Sequence, residues 1–298
     1  MKNTYLTSIL SIFILLLSAC GPTLSGKDEQ AFKTSKAKME EKLDKTEKEN
    51  LEKALRIIVV KAMKDKWNAP DKYDGKSFDK ISMEMIDGKN YSAIISYAED
   101  FFKADRDEKI AQKTTEIDSL QKDKQKVVDI IKKIDAFKLT KTFITEDEFF
   151  DEKKPYLDLV FTNTSKDDLI GEYMFSIEVF SKKTGEKIAA QGSGGTFNDD
   201  YAIKPNETYD YHQPLFSDAV QHSYLWKTAK YPITDFSPHD LVIKAYPIKI
   251  TTKKDGIIER PKADAAYFDG EIKKLNDEIK ALKETKASLD ELELTDKE

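Results

Sequence analysis

Cysteine is almost missing from this chain: Cys20 is the only one in 298 residues. No intrachain disulfide can form, so stability has to come from packing even if the compartment is oxidising. Histidine is nearly as scarce. His212, His222 and His239 are the whole set, and their spacings fit no zinc motif, which needs three or four ligands in tetrahedral reach. We expect isolated surface or loop histidines, no metal and no cofactor. An excess of base is also lacking, since 49 Lys+Arg face 55 Asp+Glu for a net charge of −6. Nucleic acid is therefore not an expected partner, because that binding rests on a basic face neutralising phosphates. No apolar run reaches the roughly 20 residues that span a bilayer. Nor do the motifs of nucleophilic catalysis occur: there is no Gly-x-Ser-x-Gly elbow, and no Ser-x-x-Lys stands in a supporting context.

The longest apolar stretch, Ile9 to Leu17 broken only by Ser11, follows Lys2 as a short positive segment. This is the form of an export signal. Leu17-Ser18-Ala19-Cys20 closes it, and Gly21 follows. These residues resemble the lipobox of bacterial lipoproteins. The resemblance implies that the thiol of Cys20 is alkylated with a diacylglycerol, that the peptide is cut before Cys20, and that the new amine is acylated. Loss of residues 1–19 removes one base, Lys2, and no acid, which makes the formal charge −7. Several acyl chains hold a protein stably, whereas one myristoyl chain binds with only about 10⁴ M⁻¹. Gly21 in place of Asp resembles the class sent to the outer membrane, facing the periplasm. In a Gram-positive host the same signal would leave the protein on the plasma membrane.

With 35% charged and 39% hydrophobic residues, the rest of the chain reads as soluble, and its length favours two modules. Residues 20–27 have the Gly, Pro and Ser of a lipidated tether. From Asp28 to about Lys66, Phe32, Met39, Leu43, Leu51, Leu55, Ile58, Val59 and Ala62 recur at helical spacing. Asn50 is the expected break in that run. Trp67 to Gly75 reads as a loop, a further helix starts near Ser77, and Gly88 precedes another with Tyr91, Ile94, Ile95, Ala98, Phe101 and Phe102 on one face. Residues 28–103 thus form a helical module. Over 104–138 the apolar positions narrow to a heptad seam, with Ile110, Ile117, Lys124 and Ile131 at a and Lys113, Leu120, Val127 and Ile134 at d. A second seam lies in 263–294, with Ala265, Ile272, Ile279 and Lys286 at a and Phe268, Leu275, Leu282 and Leu289 at d. Neither is stable alone in water, so an antiparallel coiled-coil stalk is expected.

Residues 139–262 switch to period two. Tyr156 to Phe161 and Tyr173 to Phe180 alternate cleanly, with turn signals at Asn163 to Asp168 and Lys183 to Glu186. Further strands are expected at Leu139 to Ile144, Ile188 to Phe197, Thr208 to Pro214, Tyr224 to Thr228 and Leu241 to Thr251, with turns at Lys204 to Glu207 and Lys254 to Gly256. About seven short strands without intervening helices indicate an immunoglobulin-like antiparallel β-sandwich. The fold class is therefore α+β.

The chain also resembles a family of uncharacterised bacterial lipoproteins with a domain of unknown function. The residues that carry the likeness are Glu29 to Met39, Gly88 to Ile95, the charged coil, Leu157 to Thr164, Pro205 to Glu207 and Pro214 to Asp218. The resemblance implies envelope location and architecture, and it carries over no catalytic residue.

Four features remain. Gln191 to Thr196 is glycine-rich but lacks the Lys-Ser/Thr and the helix of a phosphate loop, and a bulged or flexible strand end is expected. Asn198-Asp-Asp200 lacks the central Gly and distal Glu of a calcium loop. Tyr209, Tyr211, Phe216, Tyr224, Trp226 and Tyr231 are read as core aromatics, with stacking on cell-wall sugars as the alternative. Asn163-Thr-Ser165 and Asn206-Glu-Thr208 match the glycosylation sequon and are expected to serve turns. The resulting expectation is a non-enzymatic binding or scaffolding lipoprotein, partnered with the membrane through its lipid and with an envelope protein or cell-wall glycan. An envelope hydrolase or its accessory subunit, and a periplasmic sensor or assembly factor, are the alternatives.

Overall fold

A computed structural model describes residues 21–215, 230–286 and 288–289. Cys20, Phe216, His222, Tyr224 and Trp226, and the strand expected at Tyr224 to Thr228, lie outside the described residues. The chain divides into two compact units, residues 1–117 with 273–298, and residues 118–272. Mixed helix and antiparallel sheet bear out the α+β class, with five α-helices and seven strands among the described residues.

The first unit is helical. Helix α1 (Glu29–Glu40) starts at Asp28, whose side chain accepts from the Ala31 N–H at 2.8 Å. Helix α2 (Lys45–Asn68) opens with a capping box in which Asp44 and Glu47 satisfy each other's backbone N–H groups. That box sets the break. The chain interrupts at 41–44 and runs unbroken through Asn50, because a mid-helix Asn costs only a few tenths of a kcal/mol while a capped start stabilises by about 1 kcal/mol. Pro70–Tyr73 form one 3₁₀ turn in the expected loop, and Ser77 caps α3 (Phe78–Ile86). Gly88, with φ +72°, turns the chain into α4 (Tyr91–Ile134), 44 residues long. No break falls at 103/104, where neither Gly nor Pro intervenes. Leu51, Ala54, Ile58, Ile86, Ile94 and Ala98 form the core of this unit.

The tether is shorter than expected. Thr23 bridges to Asn90, Leu24 donates its N–H to the Lys89 carbonyl at 2.9 Å, and the Gly88 N–H donates to the Leu24 carbonyl at 2.8 Å. The Leu24 side chain is 1% exposed. Gly26 lies so close to the Met83 carbonyl that a Cβ would collide with it, and its N–H donates to the Asp87 carboxylate at 2.7 Å. Burial of one leucine, worth about 1.5–3 kcal/mol, outweighs the disorder that Gly, Pro and Ser would otherwise favour.

Helix α5 (Ala265–Glu284) ends earlier than the expected 263–294. It runs antiparallel to α4 within each unit. In the first, Arg106 donates to the Thr285 carbonyl and Lys113 pairs with Glu278. In the second, Lys124 pairs with Asp269 at 2.5 Å. Two of the three lysines at seam positions, Lys113 and Lys124, are thus neutralised across the pair, while Ile117, Phe268, Leu275 and Ile279 are buried. Among the described residues no helix is long and apolar enough to cross a membrane.

The second unit holds strands β1 (Phe137–Phe149), β2 (Glu152–Asn163), β3 (Gly171–Ser181), β4 (Lys187–Phe197), β5 (Thr208–Pro214), β6 (Leu241–Thr252) and β7 (Gly256–Glu259). They form two antiparallel sheets, β1-β2-β5 and β4-β3-β6-β7. Inward residues of both sheets, Leu157, Leu159 and Phe161 from β2 and Phe175, Ile177 and Val179 from β3, share one core. The Gly256 turn, with φ +70°, returns the chain into β7, a strand of four residues that its short pattern did not reveal.

Candidate functional site

His212 is not isolated. On β5 it faces Asp158 of β2 in register, and its Nδ1 lies 2.5 Å from Asp158 Oδ1 while Nε2 lies 3.2 Å from Asp147 Oδ2 on β1. Thr145 Oγ1 donates to Asp158 Oδ2 at 2.6 Å, and the Tyr156 ring stacks on the imidazole at 4.4 Å. The group sits on the outer face of the first sheet, because Tyr209 and Tyr211 take the inward positions of β5. Acids close in sequence, such as Asp210, are not the partners. Cross-strand register decides, and register is not readable from spacing along one strand.

Chemically this is a clamp of charge. Both imidazole nitrogens are engaged by carboxylates, and the Thr145 hydroxyl donates to Asp158. Burial lowers the His212 pKa, but the hydrogen bonds to Asp158 and Asp147 raise it and prevail. The Glu148 N–H and His212 hold the Asp147 carboxyl below its usual value. A raised histidine contributes stability that is complete below its unfolded pKa and is lost as pH climbs through the folded one; a depressed carboxyl contributes above its unfolded pKa and is lost on acidification. The clamp therefore acts between about pH 4 and 6.5 and fades above that. Since the His212 side chain is 43% exposed, its contribution is at most about 1 kcal/mol. Urea unfolding of His212→Gln beside the parent should show a deficit at about pH 5.5 that shrinks by about pH 8.5. An equal deficit at both would remove the clamp.

His239 closes the 3₁₀ turn Ser237–His239. Among the described residues no three or more His, Cys, Asp or Glu side chains converge to hold a metal ion. The glycine-rich segment is strand β4, and two of its three glycines, Gly194 and Gly195, are steric. A Cβ on Gly194 would strike the Tyr173 carbonyl and one on Gly195 would lie 2.8 Å from the Tyr173 hydroxyl. Their absence lets that ring stack on Phe197 at 4.1 Å and meet the Tyr209 hydroxyl at 2.6 Å. Asn198 spends its side chain capping a 3₁₀ turn through the Tyr201 N–H. Tyr209 and Tyr211 lie in or against the core, and burial pushes both phenols up. Tyr231 also packs there.

The sequon asparagines tie turns. Asn163 is fully buried; its Nδ2 donates to the Asp167 and Ile203 carbonyls, both at 2.8 Å, and its Oδ1 accepts from Ser165. Asn206 supplies a left-handed residue with φ +66°.

One feature of the helical unit had no counterpart in the sequence reading. Helices α1, α2 and α3 enclose a cavity of about 350 Å³. Its residues carry the ordinary helical periodicity of a core, so nothing in the pattern distinguishes a hole from a filled interior.

Comparison with known families matches residues 7–103 to a family of unknown function (DUF6694). The match covers the cavity and α1 to α3, and it ends within α4. Neither the curated proteins nor the solved structures give a match.

Proposed function

We propose that this protein is a lipid-anchored lipoprotein of the bacterial envelope, held through Cys20 on the outer membrane facing the periplasm, and that it binds or scaffolds other envelope components without catalysis. The observation that carries this is the order of segments: a basic residue, a short apolar run, Leu17-Ser-Ala-Cys20, and then a folded chain from Thr23 onward. Supporting it, the ionisable group on the first sheet has both imidazole nitrogens tied to carboxylates.

The seven strands are read as an immunoglobulin-like sandwich. Their order departs from the constant-type arrangement, in which the fourth strand joins the first, second and fifth; here it borders the third. The α4/α5 pair is read as a coiled coil, on the buried seam positions and the ion pairs of Lys113 and Lys124.

Growth of producing cells with a radiolabelled fatty acid tests the anchor. The parent should carry label and sediment with membranes, and Cys20→Ser should lose the label and leave that fraction. Label on Cys20→Ser, or none on the parent, would refute it.

A further inference from the structure

The cavity of the helical unit is apolar below and polar at its mouth. Ile58 and Ile86, 1% and 2% exposed, form the floor, and half-buried Phe32, Leu55, Val59 and Met83 form the walls. Its volume of about 350 Å³ lies at the lower end of the range of small-molecule sites, which are largely apolar with a few convergent polar groups. Those polar groups are specific. Ser82, 7% exposed, donates its hydroxyl to the Asp79 carbonyl at 2.9 Å, so what it offers the cavity is an acceptor oxygen. At the mouth, Lys33 is held by Glu29 at 2.6 Å. Asp79, in the first turn of α3, makes no ion pair among the described residues. Two acids against one base leave the mouth negative, with hydrogen-bond acceptors facing in.

We propose that this cavity binds a small amphiphile with an alkyl or aryl tail and a cationic, donor-bearing head, the chemistry of an alkylamine. The tail lies on Ile58 and Ile86, and the head donates to Asp79 and Ser82. A carboxylate head of equal tail length is disfavoured, because it would meet Asp79 and find no free donor in Ser82.

Titration of the full chain with the fluorescent probe N-phenyl-1-naphthylamine tests this. We expect a saturable rise in emission, reversed by decylamine far below the concentration at which decanoate reverses it. Affinity for alkylamines should climb by about fourfold per added methylene until the cavity is full. Val59→Trp, which fills the space, should lower probe affinity at least about tenfold. Asp79→Asn, at an exposed position that the fold does not depend on, should keep probe binding and cut the decylamine-to-decanoate preference about threefold to fivefold. Non-saturable binding, equal competition by the two heads, or an unchanged preference in Asp79→Asn would each overturn the proposal. So would undiminished binding to Val59→Trp of unaltered helical circular dichroism.

Discussion

Asn163→Ala is expected to destabilise the β unit by about 2–4 kcal/mol, because it removes four hydrogen bonds of a buried side chain at about 0.5–1.5 kcal/mol each. The Asp167 and Ile203 carbonyls each lose one of two donors, keeping the Ser165 hydroxyl and the Leu169 N–H, while the Ser165 N–H loses its acceptor. The backbone of Asn163 is committed too. Its N–H donates to the Glu207 carbonyl at 2.9 Å, and its carbonyl accepts from Asn206 at 2.7 Å. One residue thus ties the turn after β2 to the turn before β5. Asn206→Gly is the control, since at φ +66° glycine meets the same conformational need and the change should stay within about 1 kcal/mol. Urea unfolding midpoints would decide. A loss under about 1 kcal/mol for Asn163→Ala, or equal losses at both positions, would show that the buried amide does not hold the corner.

Phe161→Ala should cost as much or more, roughly 3–5 kcal/mol, by a different route. Phe161 is fully buried and joins the two sheets, with Phe137 of β1 stacked at 4.9 Å and Phe175 of β3 tilted at 5.0 Å. Removal leaves a cavity that neither sheet can fill without moving its strands. Phe150→Ala, at a residue 85% exposed, should leave the midpoint within about 0.5 kcal/mol. The two large effects should not add. Asn163 and Phe161 lie two residues apart on the same face of β2, so the double variant is expected to lose less than the sum. Full additivity would mean that core and corner are independent.

Strands and helices were legible wherever burial imposes a period. Leu157, Leu159 and Phe161 alternate because one face of β2 is core, and the apolar positions of α4 and α5 narrow to a seam because each helix has a partner for only a stripe. Three things were not legible, each for a physical reason. Leu24 docks in a stretch whose Gly, Pro and Ser argue for disorder, and a single apolar residue makes no period. The partners of His212 come from two other strands, so their identity depends on register. The cavity between α1, α2 and α3 is a difference of volumes, and residue types at helical spacing do not encode volume. Gly194 and Gly195 of β4 were legible as a strand feature, whereas their reason, the Tyr173 ring and carbonyl lying against them, belongs to the neighbouring strand.

The docking of Thr23 has one more consequence, which concerns reach. With the acyl chains on Cys20 as proposed, three peptide steps separate the modified residue from the backbone bridge to Asn90, a leash of about 10 Å when fully drawn out. The polar layer of a bilayer is itself about 5–7 Å deep on each side. On that proposal part of the leash would be used up in leaving the lipid, and the helical unit would be confined to the water immediately above the headgroups. Ligands and partners of that unit would then meet it along the membrane plane, at a concentration set by their own abundance in or beside the membrane. Lengthening the segment before Thr23 by about ten Gly-Ser residues would free the unit from the headgroup layer and leave its fold intact.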